Sequence, residues 1–467
     1  MRRAVRSRHT RRTPGAAGAL TLLLALAFAG PAGAQEPEAE STVSPVAFWR
    51  SLGDPTLESL IELALDANHD LRAAEARVRE SRASRSEAVL DLVPRITASA
   101  GYSRQRLASA SFPGAASSSL PDQSVWDAGV RMSWELDVFG RLRSSLEGRS
   151  ALVESARRDT DDLRILLAAE VARAYYDLRG AQERLVVARR NAENQRRTLG
   201  VTLDRLELGS GTALDSERAQ AQLSSTLAAI PSLETEMAAA AHRIGVLLGR
   251  PPAAVAADLS VTAEPARLLP EVRVKDIESI VRRRPDVLSA ERQVAAQDAF
   301  VGAARADYLP RLSIDAVAGY TGSELDGLVD SGSARYAIGP VVSWPLFDLG
   351  RVKTRVDQAR AAESQAVARY EQTILLALEE AETALAAYRN ARERLRHLGE
   401  AAAASERATE LARLRFEEGG TGFLEVLDAE RRQLEAQDLL AAGRTEATAW
   451  LVAAYRALGG RVDAGAR

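Results

Sequence analysis

The chain has 467 residues, 46% of them hydrophobic and 27% charged, with a formal net charge of −3 and no cysteine. Its length alone would suit two or three ordinary domains, and the missing cysteine excludes disulfides, thiolate metal sites and cysteine nucleophiles. The four histidines are isolated, and no internal apolar stretch approaches the roughly 20 residues of a membrane helix, so we expect neither a histidine metal cluster nor a polytopic helical membrane protein.

Residues 1–34 have the pattern of a secretory signal peptide. Six arginines and no acidic residue are followed by an apolar run over 19–28 and by the small residues 32–34. A basic head, a short apolar core and a small-residue exit are typical of a cleaved signal, and an uncleaved anchor is the alternative. Loss of the six arginines lowers the formal charge from −3 to −9. The mature chain is therefore acidic and has no basic stripe for nucleic acid.

The rest of the sequence contains two copies of one unit. The segment SWELDVFGR at 133–141 returns as SWPLFDLGR at 343–351, and RLELG at 205–209 returns as RFEEG at 415–419, both with an offset of 210 residues. Shared order and spacing indicate an internal repeat. The predicted organisation is an extended segment at 35–54, a first repeat at 55–250, a Pro-rich linker at 251–271, a second repeat at 272–460 and a tail at 461–467.

Each repeat contains two stretches in which apolar and polar residues alternate. They predict strands at about 95–106 and 124–138, and at about 311–321 and 335–348. This alternation is typical of a membrane β-strand with one face toward lipid and one toward a wet lumen; the alternative is a half-buried strand of a soluble sheet. Aromatic residues near the strand ends predict a membrane aromatic belt formed by Tyr102, Trp126, Trp134, Tyr320, Tyr336 and Trp344.

Long helices are predicted to carry most of the mass. Heptad-spaced apolar residues over 141–208 and 351–417 indicate two coiled-coil helices, each of about 67 residues and roughly 100 Å. Shorter helical patterns, each about half as long, flank them at about 55–90, 213–248, 272–308 and 426–458. The predicted fold is therefore mostly α with membrane β, in tandem helix–strand–strand–helix units.

The four predicted strands are too few for a membrane barrel. Known membrane barrels start at about eight strands, and an open sheet would leave unpaired backbone edges in lipid. We therefore expect an oligomer in which each copy contributes four strands to a shared barrel. These arguments permit two, three or four copies.

The motif FWRSLGDPTL at 48–57, the duplicated unit and GGTGFLEVLD at 419–428 resemble the outer-membrane efflux protein family of TolC and OprM, in its NodT-like branch. The resemblance covers about 45–460. It implies a homotrimer with a twelve-stranded barrel in the outer membrane of a Gram-negative cell, continuous with a long α-helical barrel that crosses the periplasm. The expected start at Gln35 departs from the lipidated cysteine of many OprM-like members, which leaves the barrel as the expected anchor in the outer-membrane lipid.

The function that the resemblance implies is a passive exit duct for small toxic compounds, without enzyme activity or cofactor. The implied partners are a periplasmic adaptor of the membrane fusion type and an inner-membrane transporter of the resistance-nodulation-division type. The outlet of a type I protein secretion or metal efflux system is the alternative within this class. A periplasmic coiled-coil scaffold is the alternative from another class, and it would not need the four alternating strands.

Candidate functional residues lie at the predicted turns between the long and short helices. Glu425 and Asp428 are three residues apart, so they share one helix face. They match the acidic gate positions of the family, although capping of a helix start is an alternative role. Phe416 matches an aromatic position that helps to hold the closed state. The resemblance also implies that a tip docks the adaptor through Gly209, Gly211, Thr212, Asp215, Gly419, Gly420 and Thr421, although tight turns alone would explain the glycines.

Overall fold

A computed structural model describes residues 45–106, 122–259, 270–272, 274, 276–330 and 332–461. All of them belong to one compact unit, Val43–Arg467. The predicted signal peptide at 1–34 lies outside the described residues, as does most of the predicted tail. Among the described residues, no helix is both long and apolar enough to cross a membrane.

The chain runs twice through the same order of elements. The first pass consists of α1 Ala47–Ser51, α2 Pro55–Ala67, α3 His69–Leu90, β1 Arg95–Gln105, β2 Gln123–Leu136, α4 Arg141–Glu207, α5 Ala213–Leu247 and α6 Pro252–Asp258. The second pass consists of α7 Ile277–Val281, α8 Pro285–Ala306, β3 Arg311–Gly322, β4 Ala334–Ser343, α9 Leu349–Glu417 and α10 Phe423–Ala457. With 67 and 69 residues, α4 and α9 are each about 100 Å long.

The flanking helix of each repeat is divided, although the pattern predicts one continuous helix. In the first repeat Asn68 separates α2 from α3, and its side-chain oxygen accepts the backbone N–H groups of Asp70 and Leu71. Its amide donates to the Leu247 carbonyl at 3.0 Å. In the second repeat Pro285 lacks an N–H and begins a new helix, so α7 ends before it.

Two segments predicted as extended or as linker contain short helices instead. The segment 35–54 includes α1, which forms because Phe48 and Trp49 are buried against Tyr455, with ring centroids 5.2 and 4.7 Å away. The linker 251–271 includes α6, whose first residue, Pro252, is a favourable start for a helix.

The second strand of the second repeat is shorter than predicted. The alternating pattern extends to residue 348, whereas β4 ends at Ser343. Ser343 pairs with Arg311, the first residue of β3, so the residues after Ser343 have no partner on β3. Pro345 also has no N–H to donate to a further ladder bond.

The helices form a layer in which the two long helices are covered unequally. Helix α4 packs against α3, α5, α8 and α10, whereas α9 packs mainly against α8 and α10. As a result, 24 residues of α4 are buried but only nine of α9. One side of α9 is therefore uncovered in the single chain, and it carries exposed apolar residues such as Leu375 and Leu411.

The sheet has the strand order β1-β2-β3-β4 with every neighbouring pair antiparallel. Its register places even-numbered residues opposite one another, so a row such as Ile96, Met132, Ala316 and Ile338 crosses all four strands. Nearly all even-numbered positions are apolar, whereas odd-numbered positions carry most of the polar residues. One face of the sheet is thus continuously apolar and the other is polar. The outer edges of β1 and β4 have no partner strand among the described residues.

A pair of equivalent hydrogen bonds fixes the sheet to the helices. The Trp134 indole N–H donates to the Leu92 carbonyl at 2.9 Å, and the Trp344 indole N–H donates to the Tyr308 carbonyl at 3.0 Å. Trp134 lies near the end of β2 and Trp344 directly follows β4, and each carbonyl lies in the turn before the first strand of its repeat. The two repeats therefore join helix to strand in the same way.

The free energy of unfolding is expected to depend on pH because α4 contains a partly buried carboxyl group, that of Asp162. Burial, together with the nearby Asp286 carboxylate, raises the pKa of Asp162 to about 6. The folded chain therefore holds this proton more tightly than the unfolded chain, and stability falls as the pH rises from about 4 to 6. We expect Asp162→Asn to raise the free energy of unfolding by about 1–2 kcal/mol at pH 7.5. At pH 4 it should have little effect. Denaturant melts at both pH values measure this, and an equal gain at both would contradict it.

Candidate functional site

The two turns that join long helices to short helices have the same backbone geometry. Gly209 and Gly419 follow α4 and α9 with φ angles of 70° and 77°. Only glycine adopts this left-handed conformation without steric cost, so it is the favoured residue after a helix end. In both turns a following N–H closes back on the last helical turn, from Ser210 to Arg205 and from Gly420 to Arg415.

The predicted docking residues all lie in these two turns or in the first turn of α5. The Thr212 hydroxyl donates to the Asp215 carboxylate at 2.6 Å, and the Asp215 backbone N–H donates to the same hydroxyl oxygen at 3.2 Å. Thr212 is therefore the N-cap of α5, and the Asp215 carboxylate holds its hydroxyl in place. In the second turn, Thr421 occupies the position that Gly211 has in the first, and the buried Thr421 hydroxyl has no hydrogen-bond partner among the described residues.

The predicted gate carboxylates lie on the first two turns of α10. Glu425 is exposed, and its side chain makes no ion pair among the described residues. Asp428 is half-buried and pairs with Arg431 and Arg432, both at 2.9 Å. The N-cap of α10 is Gly422, with no side-chain cap. Neither carboxylate therefore caps this helix, whereas the Thr212 side chain caps α5.

Phe416 connects the two turns. Its ring lies 3.9 Å from the Arg205 guanidinium of α4 and 5.7 Å from the Phe423 ring of α10. A guanidinium stacked on an aromatic face is attracted to its π electrons. Phe416 thus holds the end of α9 against the end of α4. The sequence does not identify Arg205 as a partner, because the two residues are 211 positions apart.

The structure adds Glu430, a buried residue that the sequence analysis does not single out. Its side chain is 4% exposed and pairs with Arg413. The core positions of α10 include Phe423, Val426 and Glu430. Glu430 continues the spacing of three and then four residues that begins with Phe423 and Val426. A carboxylate at such an otherwise apolar position is the sequence signal that identifies it.

The predicted aromatic belt residues occupy different levels of the apolar face. Trp126 pairs with Tyr102, with ring centroids 4.6 Å apart, at the end of the sheet far from the helices. Trp134 is at the helix end, about 27 Å away along the strand. Counted from the row of Trp126 toward the helices, Tyr320 lies in the next row of the apolar face and Tyr336 in the one after it. Trp344 immediately follows β4. The separation of the two tryptophans on β2 is close to the roughly 25 Å height of the apolar band of a membrane barrel.

The polar face of the sheet carries a hydrogen-bonded network across three strands. The Thr321 hydroxyl donates to the Asp127 carboxylate at 2.8 Å, and the Arg335 guanidinium donates to both groups. At the helix end, Arg141 donates to Glu135 through two hydrogen bonds of 2.9 and 2.8 Å. Side chains of both charges therefore line this face. No group of described residues could hold a metal ion.

A family model, sequence relatives and a solved structure all match this chain over most of its length. The family model described as outer membrane efflux protein matches residues 60–250 and 277–460. The chain is 33% identical over 423 residues to the outer membrane protein OprJ of Pseudomonas aeruginosa, covering 89% of this chain and 87% of the relative. It is 32% identical over 412 residues to the toluene efflux pump outer membrane protein TtgF of Pseudomonas putida, covering 88% and 84%. The solved structure of the outer-membrane channel OprN superposes with a TM-score of 0.82 at 38% identity, covering 90% and 93%.

Proposed function

Because the chain belongs to the outer membrane efflux protein family, we propose that it is the exit duct of a tripartite efflux pump and passively conducts small toxic compounds to the exterior. The observation that carries this proposal is the sheet with one apolar and one polar face, attached to a helical layer about 100 Å long. The apolar face suits lipid and the polar face suits an aqueous lumen.

The duct is a homotrimer in this proposal. Three copies of the four-stranded sheet form a twelve-stranded barrel, in which β4 of one copy pairs with β1 of the next. The uncovered side of α9, which includes Leu375 and Leu411, packs against the neighbouring copy and completes a helical barrel across the periplasm. Closure of both layers in one assembly removes the strand edges from lipid.

The partners are an adaptor and an inner-membrane transporter. Relatives of this chain are named as outer membrane components of efflux pumps, such as the toluene pump protein TtgF. The adaptor docks at the turns around Gly209 and Gly419, which lie at the ends of the long helices farthest from the sheet.

Fractionation and electrophysiology test the duct. We expect the protein in the outer-membrane fraction as a detergent-requiring trimer that dissociates on heating, and we expect single-channel currents in planar bilayers. A soluble periplasmic monomer would contradict the proposal and would favour a coiled-coil scaffold. In a strain that lacks its own efflux outlet, co-expression with the cognate pump and adaptor should restore resistance to small toxic compounds.

The gate is proposed to consist of Glu425 and Asp428, with Phe416 holding the closed position. In a trimer these carboxylates form two stacked rings at the narrow tip, where their side chains constrict the aperture and hold cations within it. We expect Glu425→Ala with Asp428→Ala to raise single-channel conductance and antibiotic leak by about two-fold or more. The matched control is Glu417→Ala with Glu418→Ala, which removes two exposed acids from the same tip. Equal conductance in both double variants would remove the gate assignment.

A further inference from the structure

The apolar face of the sheet ends in a group of charged side chains. Within the four described strands, Arg104 is the only charged residue at an even-numbered position. It lies two residues beyond Tyr102 on β1, at the end of the sheet far from the helices, where its register partner is Ser124. Arg106 directly follows β1, and Asp122 directly precedes β2. We name Arg104 and Arg106 the outer arginine pair.

The outer arginine pair lies just above the aromatic end of the apolar face. Arg104 and Arg106 follow Tyr102 by about 7 and 14 Å along the strand. With the strand tilt of a membrane barrel, these lengths correspond to about 5 and 10 Å along the membrane normal. The headgroup layer on each side of a bilayer is about 5–7 Å thick. The pair is therefore at the level of lipid headgroups when the Tyr102–Trp126 ring pair marks the boundary of the hydrocarbon.

The two arginines share one carboxylate. The Arg106 guanidinium donates to one Asp122 oxygen at 2.6 Å, and the Arg104 guanidinium lies 3.3 Å from the other. Both arginine side chains are about two-thirds exposed. Two positive charges on one negative charge leave the cluster with one excess positive charge. Because a guanidinium has five N–H donors, each arginine keeps donors for a further acceptor.

The surrounding sequence supplies no further charge to this cluster. The segment 107–121, which joins Arg106 to Asp122, contains no acidic or basic residue. In the second repeat the motif AGY at 318–320 corresponds to AGY at 100–102, so Gly322 and Glu324 stand where the first repeat has the two arginines. The excess positive charge therefore occurs once in each chain, although the mature chain as a whole is acidic.

Hydroxyl groups lie between the ring pair and the arginines. The Tyr102 hydroxyl oxygen is 3.3 Å from the Ser124 hydroxyl oxygen, and both residues are on the even-numbered face. The face therefore passes from apolar side chains through aromatic rings and hydroxyls to arginines within a few rows. A lipid presents the same order of groups, from acyl chains to a polar headgroup and its phosphate.

We propose that the outer arginine pair binds a phosphate group of lipid A, the sugar-based lipid of the outer leaflet, while the Tyr102–Trp126 ring pair contacts the lipid below its headgroup. Guanidinium groups bind phosphate oxygens through paired, charge-assisted hydrogen bonds. The phosphate replaces water on the exposed side of both arginines and balances the excess charge. This inference rests on the proposed barrel, because it requires the even-numbered face to contact lipid.

Native mass spectrometry of the detergent-solubilised trimer, titrated with lipid A in the presence of EDTA, tests the site. We expect Arg104→Gln with Arg106→Gln to weaken lipid A binding about ten-fold, to the level that the unchanged protein shows for dephosphorylated lipid A. The matched control is Arg95→Gln with Arg311→Gln, which removes two exposed arginines from the opposite end of the same sheet and should leave binding unchanged. Equal binding by the unchanged protein and the outer-pair variant would overturn the proposal.

Phosphatidylglycerol distinguishes lipid A from other anionic lipids. Its phosphate diester carries one negative charge, whereas a phosphate monoester carries up to two. We therefore expect phosphatidylglycerol to bind several-fold more weakly than lipid A, and equal binding would overturn the assignment to lipid A.

Asp122→Asn should have the opposite effect to the loss of the arginines. It removes the competing carboxylate, so lipid A should bind several-fold more tightly. A purely structural role of the two ion pairs would predict weaker binding, and that result would contradict the proposal. If the trimer forms and conducts while the outer-pair variant binds lipid A normally, the lipid site is wrong and the duct stands. If the unchanged protein is a soluble monomer, both are wrong.

Discussion

Replacing Ile338 with arginine should remove most of the assembled protein from the outer membrane. Ile338 lies in the middle of β4 on the apolar face, in the row that contains Ala316 and Met132, and its side chain is 69% exposed in the single chain. An arginine facing lipid near the middle of a membrane barrel costs about 2–4 kcal/mol, and a trimer carries three copies. We expect a several-fold loss of heat-dissociable trimer in outer-membrane fractions, measured by unheated gel electrophoresis against total protein.

The matched control is arginine at Val341, three residues farther along the same strand. Val341 lies on the polar face opposite Ser313, so its substitution should place the new charge in the lumen and leave trimer yield nearly unchanged. An equal loss in both variants would indicate a general folding defect. An equal tolerance would mean that the even-numbered face does not contact lipid, and the membrane assignment of the sheet would be wrong.

Replacing Arg284 with methionine should destabilise the helical layer by about 1–3 kcal/mol, because it leaves the buried Ala457 carbonyl without its donor and two partly exposed carboxylates without their cation. The Arg284 side chain is 7% exposed and donates to Asp286 at 2.8 and 3.0 Å and to Glu380 at 3.0 Å. It also donates to the Ala457 carbonyl at 3.0 Å, where α10 ends. This one side chain joins the start of α8 to α9 and α10. Denaturant unfolding of the detergent-solubilised protein measures the loss.

Arg282 is the control for this substitution. It precedes Arg284 by two residues but is exposed. Among the described residues its only ion pair is with Glu278, one helical turn before it in the sequence. Exposed ion pairs of this kind contribute little to stability. Arg282→Met should therefore leave the denaturation midpoint nearly unchanged. Similar losses for both variants would show that the local positive charge, rather than the buried network, determines stability.

Periodicity and repetition are strong in this sequence, and the duplicated unit with the motifs at 48–57 and 419–428 carries the resemblance to the family. The predicted family and outer-membrane location are confirmed by the family match and by relatives such as OprJ. Helical periodicity does not predict the interruptions: the break at Asn68, the break before Pro285 and the short helix at Phe48 and Trp49. The first and the third depend on a cap or on a contact with a distant part of the chain. The break before Pro285 is a local effect of the proline, which the spacing of apolar residues alone does not show.

The residues of the candidate site also differ in whether the sequence alone predicts them. The turns at Gly209 and Gly419 follow from a local requirement, since a tight reversal after a helix needs a positive φ angle. Glu425 and Asp428 are found from their spacing and from the family resemblance, and their role as a gate stays a proposal. Arg205 and Glu430 are not found in this way, because their partners Phe416 and Thr198 are more than 200 residues away in sequence.

The sequence by itself determined the two repeats, the alternating strands and the long helices, because these depend on the period of side chains along a local backbone. It also determined the family. Only the tertiary structure decided which residues face one another: the register that makes one face of the sheet apolar, the unequal cover of α4 and α9, and the buried carboxylate between α4 and α9. These features depend on which segments meet in space, and pairings over such separations leave no periodic signal in one sequence.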